Sequence, residues 1–169
     1  ALKVARKVNG AWEFDTLDAD KTVGSFTSIA IAKDGTIHIS YYSASDDDLR
    51  YIKGTWGDWS APQILDASGN TGTYTRLELD KDSNPHIVFH KPSTDDLRLS
   101  SSDNKGEPGS WTTTEIYTAT NVQEKMSGFS IGDDGTFYVS FKGAALTLGT
   151  RPPGGAWSFR TVDAGSATH

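Results

Sequence analysis

A repeat of about 48 residues constrains this chain more than any other feature of its sequence. Leu2-Lys-Val, Leu49-Arg-Tyr, Leu97-Arg-Leu and Leu146-Thr-Leu each open an alternating segment, at spacings of 47, 48 and 49 residues. Trp12, Trp59, Trp111 and Trp157 recur in the same phase, each closely preceded by glycine. A third landmark is a turn between two apolar alternations: IAIAKDGTIHISYY, LELDKDSNPHIVFH and FSIGDDGTFYVSFK. Three landmarks in one phase define a real repeat. A single unit of this length cannot bury its own hydrophobic face, so the units must stack on one another.

Each repeat reads as four short strands. In the first complete one, FTSIAIA (26–32) alternates Ile29 and Ile31 with small or polar residues, the period of a strand. Asp34-Gly35 tolerates positive φ and suits a tight hairpin turn. TIHISYY (36–42) returns, a polar turn follows at Asp46–Asp48, and LRYIKG (49–54) and WSAPQILD (59–66) complete the unit. No window sustains a 3.6-residue apolar period, so no helix longer than a turn is expected.

Four antiparallel strands in such a unit predict an all-β chain whose repeats are blades of a β-propeller. With the strands named a, b, c and d, the order is c-d followed by three complete blades, about 3.5 blades in one domain over 1–169. The half blade covers 1–18 and the blades 26–66, 74–118 and 126–164. A ring normally closes and leaves only short edges. Three arrangements satisfy this: an excerpt of a longer propeller, two copies completing one ring, or a four-blade ring with one thin blade. The four Trp are expected to be buried in blade packing.

Composition narrows the function. The formal charge of −6 leaves no basic footprint for nucleic acid. Five Trp, six Tyr and seven Phe argue against disorder. With no Cys, disulfides, thiolate metal sites and cysteine nucleophiles are excluded. No apolar run approaches the roughly 18 residues of a membrane helix, so no membrane insertion is expected.

The pattern of inner strand, DGT turn, hISYY, polar turn, LRY, G-x-W and a strand ending in Asp resembles the repeats of secreted bacterial β-propellers of the Asp-box, sialidase-like superfamily. Ser101-Ser-Asp103-Asn-Lys-Gly106-Glu-Pro-Gly-Ser-Trp111 matches the Ser, Asp, Gly and Trp of that box in the c–d turn, with extra residues before the Trp. The other c–d turns keep only Gly and Trp. The resemblance implies a structural box, with its Asp accepting backbone N–H groups and its Trp packed in the blade. It also implies export to the medium or the cell surface.

A sialidase-like hydrolase would need an arginine cluster, a Tyr nucleophile with a Glu, and an acid/base carboxylate. The six arginines do not gather on inner strands, and Arg50 and Arg98 read as blade-surface residues on strand c. No catalytic residue is therefore assigned. Asp80-x-Asp82-x-Asn84 opens like a calcium loop, but Pro85 and Lys91 stand where Gly and Glu belong, so it reads as a turn. No metal site and no cofactor are expected.

Positions that differ amid repeat agreement are where function can be written. After the strand-b aromatics Tyr41, Phe89 and Phe141 come Tyr42, His90 and Lys142, on the rim shared by the b–c turns and the d–a loops. Tyr and His suit stacking on a sugar or gripping a peptide; the alternative is a set of ordinary exposed strand ends. Arg76 and Glu78 replace small residues, Ser28 and Ala30 in one repeat and Gly128 and Ser130 in another. They either line the channel or pair with each other. The sequence thus points to a non-catalytic module binding glycan or protein through one rim. The alternatives are an enzyme whose groups lie in absent blades and a self-assembling structural module.

Overall fold

A computed structural model of the chain describes residues 1–20, 22–118, 124–143 and 145–163. The sequence reading of the loop at 118–126 falls largely outside them, as does residue 164. Every regular element described is a strand, and all pairings are antiparallel. The first sheet holds β1 (Leu2–Val8) and β2 (Ala11–Asp18). The second holds β3 (Val23–Ile31), β4 (Ile37–Ser43), β5 (Asp48–Thr55), β6 (Asp58–Trp59) and β7 (Gln63–Asp66). In the third lie β8 (Thr73–Leu79), β9 (Pro85–Lys91), β10 (Asp96–Ser102) and β11 (Trp111–Thr118). The fourth comprises β12 (Glu124–Ile131), β13 (Phe137–Lys142), β14 (Leu146–Arg151) and β15 (Ser158–Asp163).

A two-stranded sheet thus precedes three four-stranded meanders, the c-d, a-b-c-d succession read from the repeat. One difference is local. Strand d of the second sheet is broken into β6 and β7, both laid along β5. Between them stands Pro62, which has no N–H to give a ladder.

Turn chemistry holds the a–b hairpins. Gly35 (φ 88°) and Gly135 (φ 80°) occupy the left-handed position, and Ser83 (φ 66°) takes it in the third sheet. Each turn is braced by its Asp: Asp34 Oδ1 accepts the N–H of Thr36 at 2.9 Å, and Asp134 Oδ1 that of Thr136 at 2.9 Å. Asp80 Oδ1 accepts from Asp82 and Asn84 at 2.9 and 2.8 Å. The calcium-like spelling at 80–84 is therefore a filled turn.

Successive sheets pack through three hydrophobic clusters, each built from two neighbours. Leu2 joins Val23, Ile39, Tyr41 and Ile52; Leu49 and Tyr51 join Leu77, Ile87 and Phe89; Leu97 and Leu99 join Phe129, Phe137 and Phe141. The repeated Leu of strand c lies at each junction and is 3%, 0% and 0% exposed in the first three sheets. Glycine lets the chains approach there. A Cβ on Gly72 (φ +96°) would lie 2.6 Å from Leu49 Cα, and one on Gly24 3.1 Å from Leu2 Cα.

Two expectations are corrected here. The Trp series is not uniformly buried. Trp59, Trp111 and Trp157 are half-buried against the preceding sheet, but Trp12, in the first described sheet, is 61% exposed. Nor is Arg50 a surface residue. It is 8% exposed and reaches back to the preceding sheet, where Nη1 meets Asp18 and Asp20 at 3.0 Å each while Nη2 meets Asp46 at 2.6 Å. Tyr41 Oη also donates to Asp18, at 2.7 Å. Arg98 repeats the clasp on Asp66 at 3.4 Å. The Asp that ends strand d in the first and second sheets is thus half of an inter-sheet ion pair.

The box-like turn also differs from the expectation carried by the resemblance. Ser102 Oγ, rather than the Asp103 carboxylate, accepts the N–H groups of Asn104 (3.2 Å) and Gly106 (2.8 Å). Trp111 packs edge-on to Tyr51, centroids 4.8 Å apart.

Candidate functional site

Strands β3 and β8, the first of the second and third sheets, begin with the same distortion. Their registers slip over Val23–Ser28 and over Thr73–Arg76, as β-bulges do. At the slips, Gly24 (φ 95°) and Phe26 (φ 52°) are matched by Gly72 (φ 96°), just before β8, and Tyr74 (φ 54°). Positive φ is natural for glycine and costs a bulky aromatic residue roughly 1–2 kcal/mol. The outcome is an aromatic cluster on the rim of the b–c turns. Phe26 and Tyr74 lie 4.4 Å apart between ring centroids, Phe26 and Tyr42 5.9 Å, and Phe26 is 38% exposed.

Tyr42 and His90, singled out from the sequence, sit on this rim but are not plain exposed ends. Tyr42 is buried; its hydroxyl donates to Asp47 and, at 3.3 Å, to Asn70. Burial, and then the Asp47 carboxylate, push its pKa up to about 12. His90 Nε2 lies 3.0 Å from Asp95 Oδ1, and its carbonyl accepts the N–H of Gly72 at 3.1 Å. Asp47 (φ 62°) and Asp95 (φ 60°) hold equivalent left-handed positions in the b–c turns. The strand-b residue therefore braces its turn in both sheets. Lys142, at the same point of β13, is exposed, and no described contact links it to Tyr42 or His90.

Arg76 and Glu78 behave otherwise. On β8, Thr75 and Leu77 face the second sheet: Thr75 Oγ1 donates to Phe26 O at 2.7 Å and Leu77 packs against Leu49. Alternation turns Arg76 and Glu78 to the other face. They do not pair; Arg76 Nη1 donates to Thr75 O at 2.9 Å, and burial alone raises the Glu78 carboxyl. The compensated pair read from the sequence is not formed.

A cleft of about 600 Å3 opens between the third and fourth sheets, at the end that carries their a–b hairpins. Its wall includes Asp80, His86, Asp133, Phe137, Arg151 and Pro152. Much of this chemistry is already engaged. Burial opposes ionisation of Asp80, but hydrogen bonds from Asn84 hold its carboxyl below the ordinary value. The Arg151 guanidinium lies 4.4 Å above the Phe137 ring, and burial lowers its pKa.

Phe26 and Tyr74 were missed by motif reasoning, although Gly-x-aromatic at 24–26 and 72–74 precedes each alternation and spells the bulge. Compared with known proteins, the chain matches no family model and no curated protein. The class it defines is an all-β protein in which a two-stranded sheet and three larger antiparallel sheets, built from one repeat, pack in succession.

Proposed function

We propose that the sheets are blades of an Asp-box-like β-propeller acting outside the cytoplasm, and that the module binds a glycan without turning it over. The binding surface is the b–c rim, with Phe26 and Tyr74 as the stacking platform and Asn70, Asp47 and His90 as polar neighbours. One observation carries the reading: two neighbouring aromatic rings are held at the rim by strained backbone, twice over, in equivalent positions. Strain of this kind persists where function requires it. Sugar rings present C–H faces that stack on aromatic rings, and their hydroxyls seek carboxylate, amide and imidazole partners.

The test is a glycan array with the purified chain, followed by affinity measurement on Phe26→Gly. Glycine removes the ring and relieves the positive φ, so the fold is retained to within about 1 kcal/mol. Binding should fall at least about tenfold, equivalent to 1.4 kcal/mol. An array without hits, or an affinity unchanged in Phe26→Gly, refutes the proposal. Release of sugar from a bound ligand would favour the enzyme reading instead.

A further inference from the structure

Arg151, at the end of β14, stands where the repeat elsewhere keeps a small residue. It pairs across the strands with Phe137 as Gly54 does with Ile37, and the same place in the third sheet holds Ser102. Its guanidinium is half-buried, 4.4 Å above the Phe137 ring and 5.5 Å from that of Trp157. Among the described residues no carboxylate lies within ion-pair distance of it and no group accepts its side-chain N–H groups. By contrast Arg50 and Arg98, also on c strands, each meet two carboxylates or more. Ring faces replace only part of the hydration that a guanidinium loses on burial.

A second donor beside it is also unmatched. Trp59 Nε1 donates to Asp15 at 3.0 Å and Trp111 Nε1 to Gln63 at 3.2 Å, each on strand d of the sheet before. Trp157 Nε1 is buried and has no hydrogen-bond partner among the described residues. Buried donors are nearly always paired, so an orphan N–H next to an unpaired cation favours an anionic acceptor.

Arg151 lines the cleft of about 600 Å3 between the third and fourth sheets, a volume within the range of small-molecule sites. Leu79, Ile131 and Pro152 give this cleft an apolar wall. Its carboxylates are otherwise occupied: Asp80 and Asp134 brace their own turns, Asp82 meets Lys81 at 2.7 Å, and Asp133 is exposed. Those four still outnumber Lys33, Lys81 and Arg151, and burial lowers the pKa of His86, so a dianion such as phosphate is disfavoured. A planar guanidinium fork matches a single carboxylate.

We propose that this cleft binds a ligand carrying one carboxylate on an apolar body, with Arg151 as its anchor. The carboxylate takes the guanidinium N–H groups while the Phe137 and Trp157 rings fix the guanidinium plane. The apolar body lies along Leu79, Ile131 and Pro152. A small organic acid and the carboxyl terminus of a peptide present the same group. The site lies at the a–b hairpins, away from the b–c turns where Phe26 and Tyr74 cluster, and is independent of the glycan reading.

Titration of the isotope-labelled chain with hippurate and with decanoate tests the proposal, read at the Arg151 Nε–H signal and the 132–135 amides. A capped tripeptide ending in phenylalanine, as free acid and as amide, separates a peptide terminus from a small acid. The preferred carboxylate is expected to bind with Kd near about 1 mM or below, and its methyl ester or amide and phenyl phosphate at least about tenfold more weakly. Arg151→Met should weaken binding at least about tenfold, and Arg151→Lys, which keeps the charge without the fork, should recover only part of it. The melting transition of Arg151→Met should be unchanged or raised, since no ion pair is lost. If that variant does not fold, the wild-type Arg151 Nε–H signal decides: it moves with ligand or the anchor is wrong. No carboxylate binding at about 10 mM, tighter binding of phenyl phosphate, shifts confined to 24–26 and 70–74, or unchanged affinity in Arg151→Met would each overturn the proposal.

Discussion

Replacing Arg50 with Met removes the charge at the centre of the first inter-sheet clasp while keeping most of the side-chain stem. In the native chain the side chains of Arg50 and Asp18 are 10% and 4% exposed, 3.0 Å apart. Burial opposes the Arg50 charge, but Asp20 and Asp18 more than offset this and raise its pKa. Asp18 is held below its ordinary value against burial by Tyr41, the Asp20 N–H and Arg50. Removing one partner of a buried pair costs about 3–5 kcal/mol because the other charge is left stranded. Asp20 and Asp46 are 64% and 46% exposed and can turn to water, so only Asp18 is stranded and the expected loss is about 3 kcal/mol. The second clasp is longer, Arg98 meeting Asp66 at 3.4 Å and Asp96 at 3.6 Å with its own side chain 21% exposed, but both carboxylates are buried, so Arg98→Met should cost about 2 kcal/mol, less than Arg50→Met. Urea unfolding of the wild type, Arg50→Met, Arg98→Met, Asp18→Asn and Asp18→Asn/Arg50→Met gives the losses and the coupling. A loss below about 1 kcal/mol for Arg50→Met, or equal losses at Arg50 and Arg98, would refute the reasoning.

Gly72→Ala should destabilise the fold by about 3 kcal/mol or more, since the new methyl meets Leu49 backbone and φ is +96°, whereas Gly35→Ala, with open space but φ +88°, should cost about 1 kcal/mol. Thermal unfolding of the two variants checks the ranking; equal losses would contradict it. His38 is buried with its Nδ1 2.6 Å from Tyr51 Oη, and burial, assisted by Lys53, lowers its pKa to about 4. The unfolded state therefore takes up a proton first: the stabilisation is complete above about pH 6.5 and is lost as pH falls toward about 4, on the order of 3 kcal/mol. Urea midpoints against pH should slope less steeply in His38→Gln, and identical slopes would refute this assignment.

Strand order was legible because the repeat supplies three registered examples of each turn and each apolar alternation. What escaped was everything that depends on the neighbouring unit. Arg50 looks like a surface cation in a strand of its own; only stacking places Asp18, 32 positions earlier, against it. Trp12 and Trp59 are spelled alike, yet Trp59 packs on the cluster around Leu2 of the sheet before it and Trp12 is exposed. On the rim, Tyr42 and His90 stood out as departures from the repeat, yet hydrogen bonds to Asp47 and Asp95 give both a turn-bracing role. Phe26 and Tyr74 agree between two repeats and so drew no notice, although their positive φ sets them apart.

Amide chemical shifts recorded while a glycan identified on the array is titrated into the labelled chain test the central claim most directly. The account predicts that the perturbed amides cluster at 24–26, 42, 70–74 and 90, around the strained aromatic pair. Perturbations confined to 80–82, 132–135 and 151, at the cleft beside the a–b hairpins, or none at all, would contradict it.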